Sequence, residues 1–249
     1  MRIVTAAFFA LCLPSALAAE CAAKSAAHTV PLLELYTSEG CSSCPPADKW
    51  LSSLNVKPTE VTPLAFHVDY WDYIGWKDTY SKAEYSTRQR KMAAFNFAGF
   101  IYTPQFLLSG KDFKGWDNTR LIKSLAIAHT LPARAQLALS ASTAANGNLT
   151  LNASATATDD VKNADVFVAI YENKLVSQVN AGENNGRELK HDYVVREFFG
   201  AYPMNSGKQL NKQFNLSKLW KTRDAGAVIF VQDASSGEIL QSLALKFCS

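Results

Sequence analysis

The stretch that most restricts what this chain can become is Gly40-Cys41-Ser42-Ser43-Cys44-Pro45-Pro46, set between an apolar run at residues 30–36 and the helically spaced Trp50, Leu51 and Leu54. A Cys-x-x-Cys pair at a strand-to-helix junction lies where unpaired N–H groups and the helix dipole favour a thiolate, the reactive form of cysteine. In that arrangement Cys41, nearer to solvent, attacks a partner disulfide, and Cys44, one turn deeper, resolves the mixed disulfide. The bland alternative is half of a zinc site. The other candidate ligands, Cys21, Cys248, His28, His67, His129 and His191, include no second pair at short spacing, so no metal is expected. Pro45 and Pro46 complicate the junction, because proline has no N–H to give. A helix that starts at either proline suits that residue, but leaves the cysteines in the preceding loop and makes Cys41 less acidic.

The surrounding pattern changes part-way along the chain. Up to about residue 130, strand and helix signals mix: apolar runs at 30–36 and 63–68, helical spacing at 47–54 and 79–97, then Thr103-Pro104 before a run at 105–108. Ser109-Gly110-Lys111-Asp112 reads as a turn, and Asp117 or Asn118 as the cap of a helix burying Leu121, Ile122 and Leu125. Beyond Pro132 the texture becomes alternating, with segments at 135–143, 149–157, 164–171, 175–180, 194–199, 227–232 and 239–247. Turn signals such as Asn146-Gly147, Asn184-Asn185-Gly186 and Ser235-Ser236-Gly237 separate them, a rhythm that suits an antiparallel sandwich.

Several motifs carry a resemblance. Gly-Cys-Ser-Ser-Cys-Pro-Pro-Ala-Asp at 40–48, His-Val-Asp-Tyr-Trp-Asp-Tyr-Ile-Gly-Trp at 67–76, Arg88-Gln89, Tyr-Thr-Pro-Gln at 102–105 and Gly-Glu-Asn-Asn-Gly-Arg at 182–187 are similar to those of a family of bacterial secreted proteins, domain of unknown function 1223. The order of elements also resembles that of thioredoxin. The resemblance implies an α/β thioredoxin-like domain at 19–132, followed by an all-β antiparallel sandwich domain at 133–249. It further implies a cis peptide at Thr103-Pro104 beside the cysteines, with the Thr103 backbone as a platform for an extended substrate chain. An ordinary trans-proline at a strand start is the alternative. The resemblance implies no established reaction.

Other residues divide between two readings. Glu34 precedes Cys41 by seven positions, near where thioredoxins keep a buried acid that relays a proton to the resolving cysteine. A carboxylate satisfied by a salt bridge explains it equally. The cluster at 67–76 either lines a partner groove or fills a satellite core. His67 and Asp69 alternate on one strand face, but two ligands do not make a site.

Compartment decides how the remaining cysteines are read. Arg2, the apolar residues 3–13 and Ala16-Leu17-Ala18 form a signal peptide over 1–18, so the mature protein is expected in the periplasm or outside the cell. The apolar run is too short to span a bilayer. Cys12 leaves with the leader, and four cysteines remain where disulfides persist: Cys41 with Cys44, and Cys21 with Cys248 as a clip between the chain ends. Losing Arg2 leaves 24 basic against 22 acidic residues, a balance that argues for neither nucleic acid nor an anionic membrane as partner. The expected partner is a protein thiol or disulfide, with no cofactor. In the alternative, a non-catalytic binding module, the pair is a fixed disulfide or holds Cu(I).

Overall fold

Strands buried on both faces need cover on both, and that requirement organises the molecule. The computed structural model describes residues 20–144, 148–204, 209–216 and 221–248. Residues 1–18, expected to be a signal peptide, and Asn146-Gly147, expected to be a turn, lie outside them. The strands β2 (Leu32–Thr37) and β3 (Thr62–His67) are buried at every position and run parallel. Between them lies α1 (Pro45–Ser53), which begins on proline at its first positions, where a missing N–H costs nothing. A 3-10 turn at Asp69–Ile74 leads to α2 (Ala83–Phe95). The hairpin β4 (Gln105–Leu108) and β5 (Lys111–Asp112) turns at Ser109-Gly110. Gly110 has φ +84°, and a Cβ there would lie 2.2 Å from the Gly237 carbonyl oxygen, so only glycine fits. Helix α3 (Asn118–Ala128) is capped by the Asp117 carboxylate, which accepts from Arg120 N–H at 2.8 Å.

Beyond α3 the described residues are mostly strand, apart from loops and a 3-10 turn at Thr222–Asp224: β6 (Ala135–Thr143), β7 (Leu149–Ala157), β8 (Ala164–Glu172), β9 (Leu175–Gln178), β10 (Glu188–His191), β11 (Val194–Met204), β12 (Gln209–Leu216), β13 (Ala225–Asp233) and β14 (Ile239–Lys246). Near the start, β1 (Glu20–Lys24) pairs with β6, far along the chain. The order β1-β6-β7-β12 makes one antiparallel sheet, and β9 with β10 makes a separate hairpin.

The large sheet overturns the expected architecture of an α/β thioredoxin-like domain followed by an independent antiparallel sandwich. Its eight strands run in the order β14-β13-β8-β11-β3-β2-β4-β5, so strands from both halves share one mixed sheet. The joint is β11 against β3: Val194 pairs with Ala65, and Ala65 N–H donates to Tyr193 O at 2.8 Å. Strand exceeds helix, 42% against 20%, and this makes the protein mainly β. The physical reason is that β3 offers a free edge, and a buried edge has to be paired. Alternation in the second half was a correct sign of strands, but it carries no information on which sheet they join.

Packing follows the same joint. On one face, Leu33, Leu35, Ala65 and Phe106 pack against Ala47 and Leu51 of α1 and Leu121 and Leu125 of α3. The four-stranded sheet packs through Leu137, Leu139, Leu151 and Ala153 onto Val166, Val168, Ile229 and Val231. A third cluster crosses residue 132, joining Tyr36 and Phe66 to Tyr85 and Met92 of α2 and to Phe167, Val195, Val228 and Phe230.

At its centre is Arg88, whose Nε donates to Glu34 Oε1 at 2.7 Å, with both side chains buried. The rings of Phe66, Phe167, Phe198 and Phe230 surround the guanidinium at 5.0–5.8 Å. Removing one partner of such a pair leaves a buried charge uncompensated, which costs about 3–5 kcal/mol. Arg88→Ala is therefore expected to lower unfolding stability by that amount in urea titration. The double variant Glu34→Gln/Arg88→Met should lose clearly less. Equal losses in the two proteins would refute this account of the pair.

Candidate functional site

The cysteines sit in the short connection from β2 to α1. Gly40 N–H bonds to Ser38 Oγ at 3.1 Å, Cys41 N–H to Ser38 O at 3.1 Å, and Cys44 N–H to Cys41 O at 3.2 Å, which together curl the loop tightly. That curl brings the Cys41 and Cys44 Cα atoms to 5.4 Å, and the two sulfurs are bonded as a disulfide. Cys44 occupies the N-cap of α1, but its side chain caps nothing. Pro45 and Pro46 remove the first two N–H donors, and the next two, from Ala47 and Asp48, go to Cys44 O. The helix end therefore offers a Cys44 thiolate little help.

Both cysteines are 0% exposed, and only Ser42 and Ser43 at the turn's apex reach solvent. This differs from the expectation of a solvent-facing Cys41. The cover is the connection from β9 to β10. Asn184, fully buried, donates through Nδ2 to Glu39 O at 2.8 Å and Cys41 O at 3.0 Å. Glu183 accepts from Ser42 N–H at 2.9 Å, and hydrogen bonds from Ser42 hold its carboxyl below the usual range. Gly182 takes φ +70° with Ile74 directly beneath, and Arg187 braces Asn184 Oδ1 at 3.0 Å. The Gly-Glu-Asn-Asn-Gly-Arg motif is thus a strap over the disulfide, where the sequence suggests only a turn.

Trp71 links the cysteine loop to the proline loop. A Cβ on Gly40 would stand 3.1 Å from Trp71 Cβ, and Trp71 Nε1 donates to Thr103 Oγ1 at 2.7 Å. The Thr103-Pro104 peptide is cis. Gln89 Nε2 donates to Tyr102 O and Gln105 Oε1, both at 2.8 Å, which fixes the segment from α2. Glu34 is placed differently from the expected proton relay: its Oε1 accepts from Arg88 and from Tyr36 OH at 3.2 Å.

The acids and bases that surround the turn are others. Glu39 lies two residues before Cys41, and Asp48 lies in the first turn of α1, accepting from Thr37 Oγ1 at 3.1 Å. His191, at the end of β10, stands 3.5 Å from Glu39 Oε1 and 3.9 Å from Asp48 Oδ1. His67 Nδ1 meets Asp78 Oδ2 at 2.7 Å, and the two imidazoles cross at 4.9 Å between centroids. Burial alone would raise Glu39 and Asp78, yet both sit below their usual range because His191 and His67 favour the charged carboxylates. Burial likewise opposes charge on His191, but Asp48 and Glu39 outweigh it and lift its pKa to about 10. Asp69 takes no part, since it bonds Ser86. In the sequence His67 and His191 are only two among several candidate ligands and Asp48 only the end of a motif; His191 enters from more than a hundred residues away, and no local pattern signals that the three meet.

Cys21 and Cys248 are also neighbours: Cys248 N–H points at Cys21 Sγ at 3.0 Å, so the two ends of the described chain meet.

A family model described as a protein of unknown function (DUF1223) matches residues 32–232, and the chain belongs to that family. A crystal structure of a protein from Agrobacterium tumefaciens is similar at 26% identity and TM-score 0.68, covering 88% of this chain and 96% of that one. HBP35 of Porphyromonas gingivalis shares the fold at 15% identity and TM-score 0.63, over 90% of this chain and 76% of the other. Among curated proteins, no relative matches.

If the strap governs access to the sulfurs, loosening it should speed their reduction. Asn184→Ala removes two hydrogen bonds and deprives Glu39 O of its side-chain donor, while Cys41 O keeps Cys44 N–H, a loss of about 1–3 kcal/mol. Reduction of Cys41–Cys44 by dithiothreitol, followed by thiol alkylation and mass, should accelerate by about tenfold or more. An unchanged rate would show that the strap does not limit entry.

Proposed function

We propose that this protein exchanges disulfides with a restricted protein partner through Cys41 and Cys44. The observation that carries the reading is the Cys41–Cys44 disulfide in a turn whose apex reaches solvent and whose backbone is held by a polar strap. In the oxidised protein a partner thiolate attacks Cys41 Sγ. The Cys41–Cys44 bond breaks and Cys44 leaves as a thiolate. A second partner thiolate then attacks the mixed disulfide, so the partner gains a disulfide and this pair is left as dithiol. The reverse sequence, with Cys41 attacking and Cys44 resolving, reduces a partner disulfide. Specificity would come from the partner having to displace Glu183 and Asn184. Thr103 and Pro104, tied to the cysteine loop through Trp71, would be the neighbouring surface that receives the incoming chain.

Two observations favour a second reading. Full burial of both sulfurs and prolines in place of helix N–H donors suit a fixed disulfide in a non-catalytic binding module. Such a disulfide would have a potential below about −300 mV. Cu(I) binding would require the reduced pair. Cys44→Ala, expressed in the native compartment, separates the readings. Exchange predicts covalent adducts through Cys41 that reductant releases; an absence of adducts, with no turnover of a model disulfide, would sink it.

The proposed setting is the periplasm or the exterior, after removal of residues 1–18. Among the described residues no helix is long and apolar enough to cross a membrane. In that oxidising setting Cys21 and Cys248 would close a second disulfide, whose long loop gives about 4–5 kcal/mol on the chain-entropy account. The intact mass of the exported protein should match a chain starting at Ala19 with both disulfides closed, and peptide mapping should recover Cys21 linked to Cys248. Free thiols at both positions would refute the clip.

A further inference from the structure

We propose that Asp48, His67 and His191 form a binding site for a divalent transition-metal cation, Zn2+ by donor type, buried beneath the cysteine turn. One ligand atom from each lies within 4.8 Å of those from the other two, and all three residues are buried. Two imidazoles and a carboxylate are the ligand types such cations take. This site is separate from the exchange chemistry proposed above and does not depend on it.

Orientation is the first support. A metal-binding histidine usually gives its second ring nitrogen to a carboxylate, which fixes the tautomer and aims the other nitrogen. His67 is arranged so: Nδ1 meets Asp78 at 2.7 Å, and Asp78 is itself held by the N–H groups of Glu39 and Tyr80, both at 2.9 Å. Nε2 of His67 is thereby directed inward. His191 repeats the theme more loosely, with Nε2 facing Glu39 Oε1 at 3.5 Å and Nδ1 facing Asp48.

Unsatisfied atoms are the second support. Among the described residues, His67 Nε2, both ring nitrogens of His191 and Glu39 Oε1 are buried without a hydrogen-bond partner. Buried polar atoms are nearly always paired, and orphans gathered in one place call for a missing partner. Charge is the third support. Glu39, Asp48 and Asp78 bring three carboxylates into the interior, and their ion-pair partners among the described residues are His67 and His191 alone, with no Lys or Arg. A dication would offset two of the three negative charges, taking the place of the protons it displaces from the imidazoles.

Around a tetrahedral Zn2+, with bonds of about 2.0–2.2 Å, ligand atoms stand roughly 3.4 Å apart. Binding therefore draws the widest pair together by up to roughly 1.4 Å, a shift within reach of side-chain torsions. The consequence is mechanical. His191 ends β10 at the foot of the strap, while Asp48 and His67 belong to α1 and β3, so the cation would tie the strap's base to the body beneath the disulfide.

The test uses the full mature chain, stripped with chelator under mild denaturant, refolded, and titrated with Co2+ and Zn2+. One equivalent should bind per chain, with the visible d–d absorption of tetrahedral Co2+, and should raise the melting temperature. The Cys41→Ser/Cys44→Ser protein should bind equally, which excludes the thiols as ligands. His191→Gln, with Asp48→Asn as a milder second variant, should lose the absorption and the thermal shift while keeping the wild-type circular dichroism. Asp78→Asn should keep the absorption but weaken affinity about 10–100-fold, as loss of an orienting carboxylate does. Failure of the refolded wild type to bind one equivalent of either ion would overturn the proposal. So would binding that survives His191→Gln or disappears with the cysteines.

Discussion

The structure depends on one buried cation. Arg88 is contributed by a helix of the first half, pairs with Glu34 on β2, and is enclosed by aromatic rings, of which Phe167, Phe198 and Phe230 come from the second half. A guanidinium can be desolvated this deeply because its charge is delocalised and its flat faces stack on rings while its edge meets a carboxylate. Lysine has neither property. The halves cannot separate without returning that pair to water or leaving it bare, so the mixed sheet and its core form as one cooperative unit.

How much of this was legible in the sequence varies by element. The cysteine turn, the helix after it and the Asp117 cap are local events, written in prolines, spacing and a single carboxylate. The strands of the second half were visible through alternation, but β1, β10 and β12 were not. These are short, or polar on one face, and owe their existence to partners: β1 to β6, β10 to β9, β12 to β7. The misread architecture has the same origin. Local pattern shows that a segment is extended, and only the exposed edge of β3 decides that β11 docks there.

The site divides in the same way. Cys41, Cys44, Thr103 and Pro104 could be named from motif and order. Glu34 was assigned by spacing, and spacing cannot see Arg88 arriving from another helix. Glu39, Asp48 and Asp78 were ordinary acids in the sequence, and Asn184 an ordinary turn residue. Their importance comes from burial. Asn184, itself buried, donates to two carbonyls at once, and the acids share two buried imidazoles. The strap comes from the second half of the chain and the disulfide from the first, while the acid–imidazole group draws on both.

That arrangement has a temporal side. Cys41 and Cys44 are separated by three positions, whereas the strap contact from Asn184 to Cys41 spans 143. Closing the short ring demands little chain entropy, and the long one much more. As the polypeptide emerges in order, the thiols are therefore present and able to join well before their cover has been synthesised. Joining the two sulfurs is thus a local event, and enclosing them waits on most of the chain.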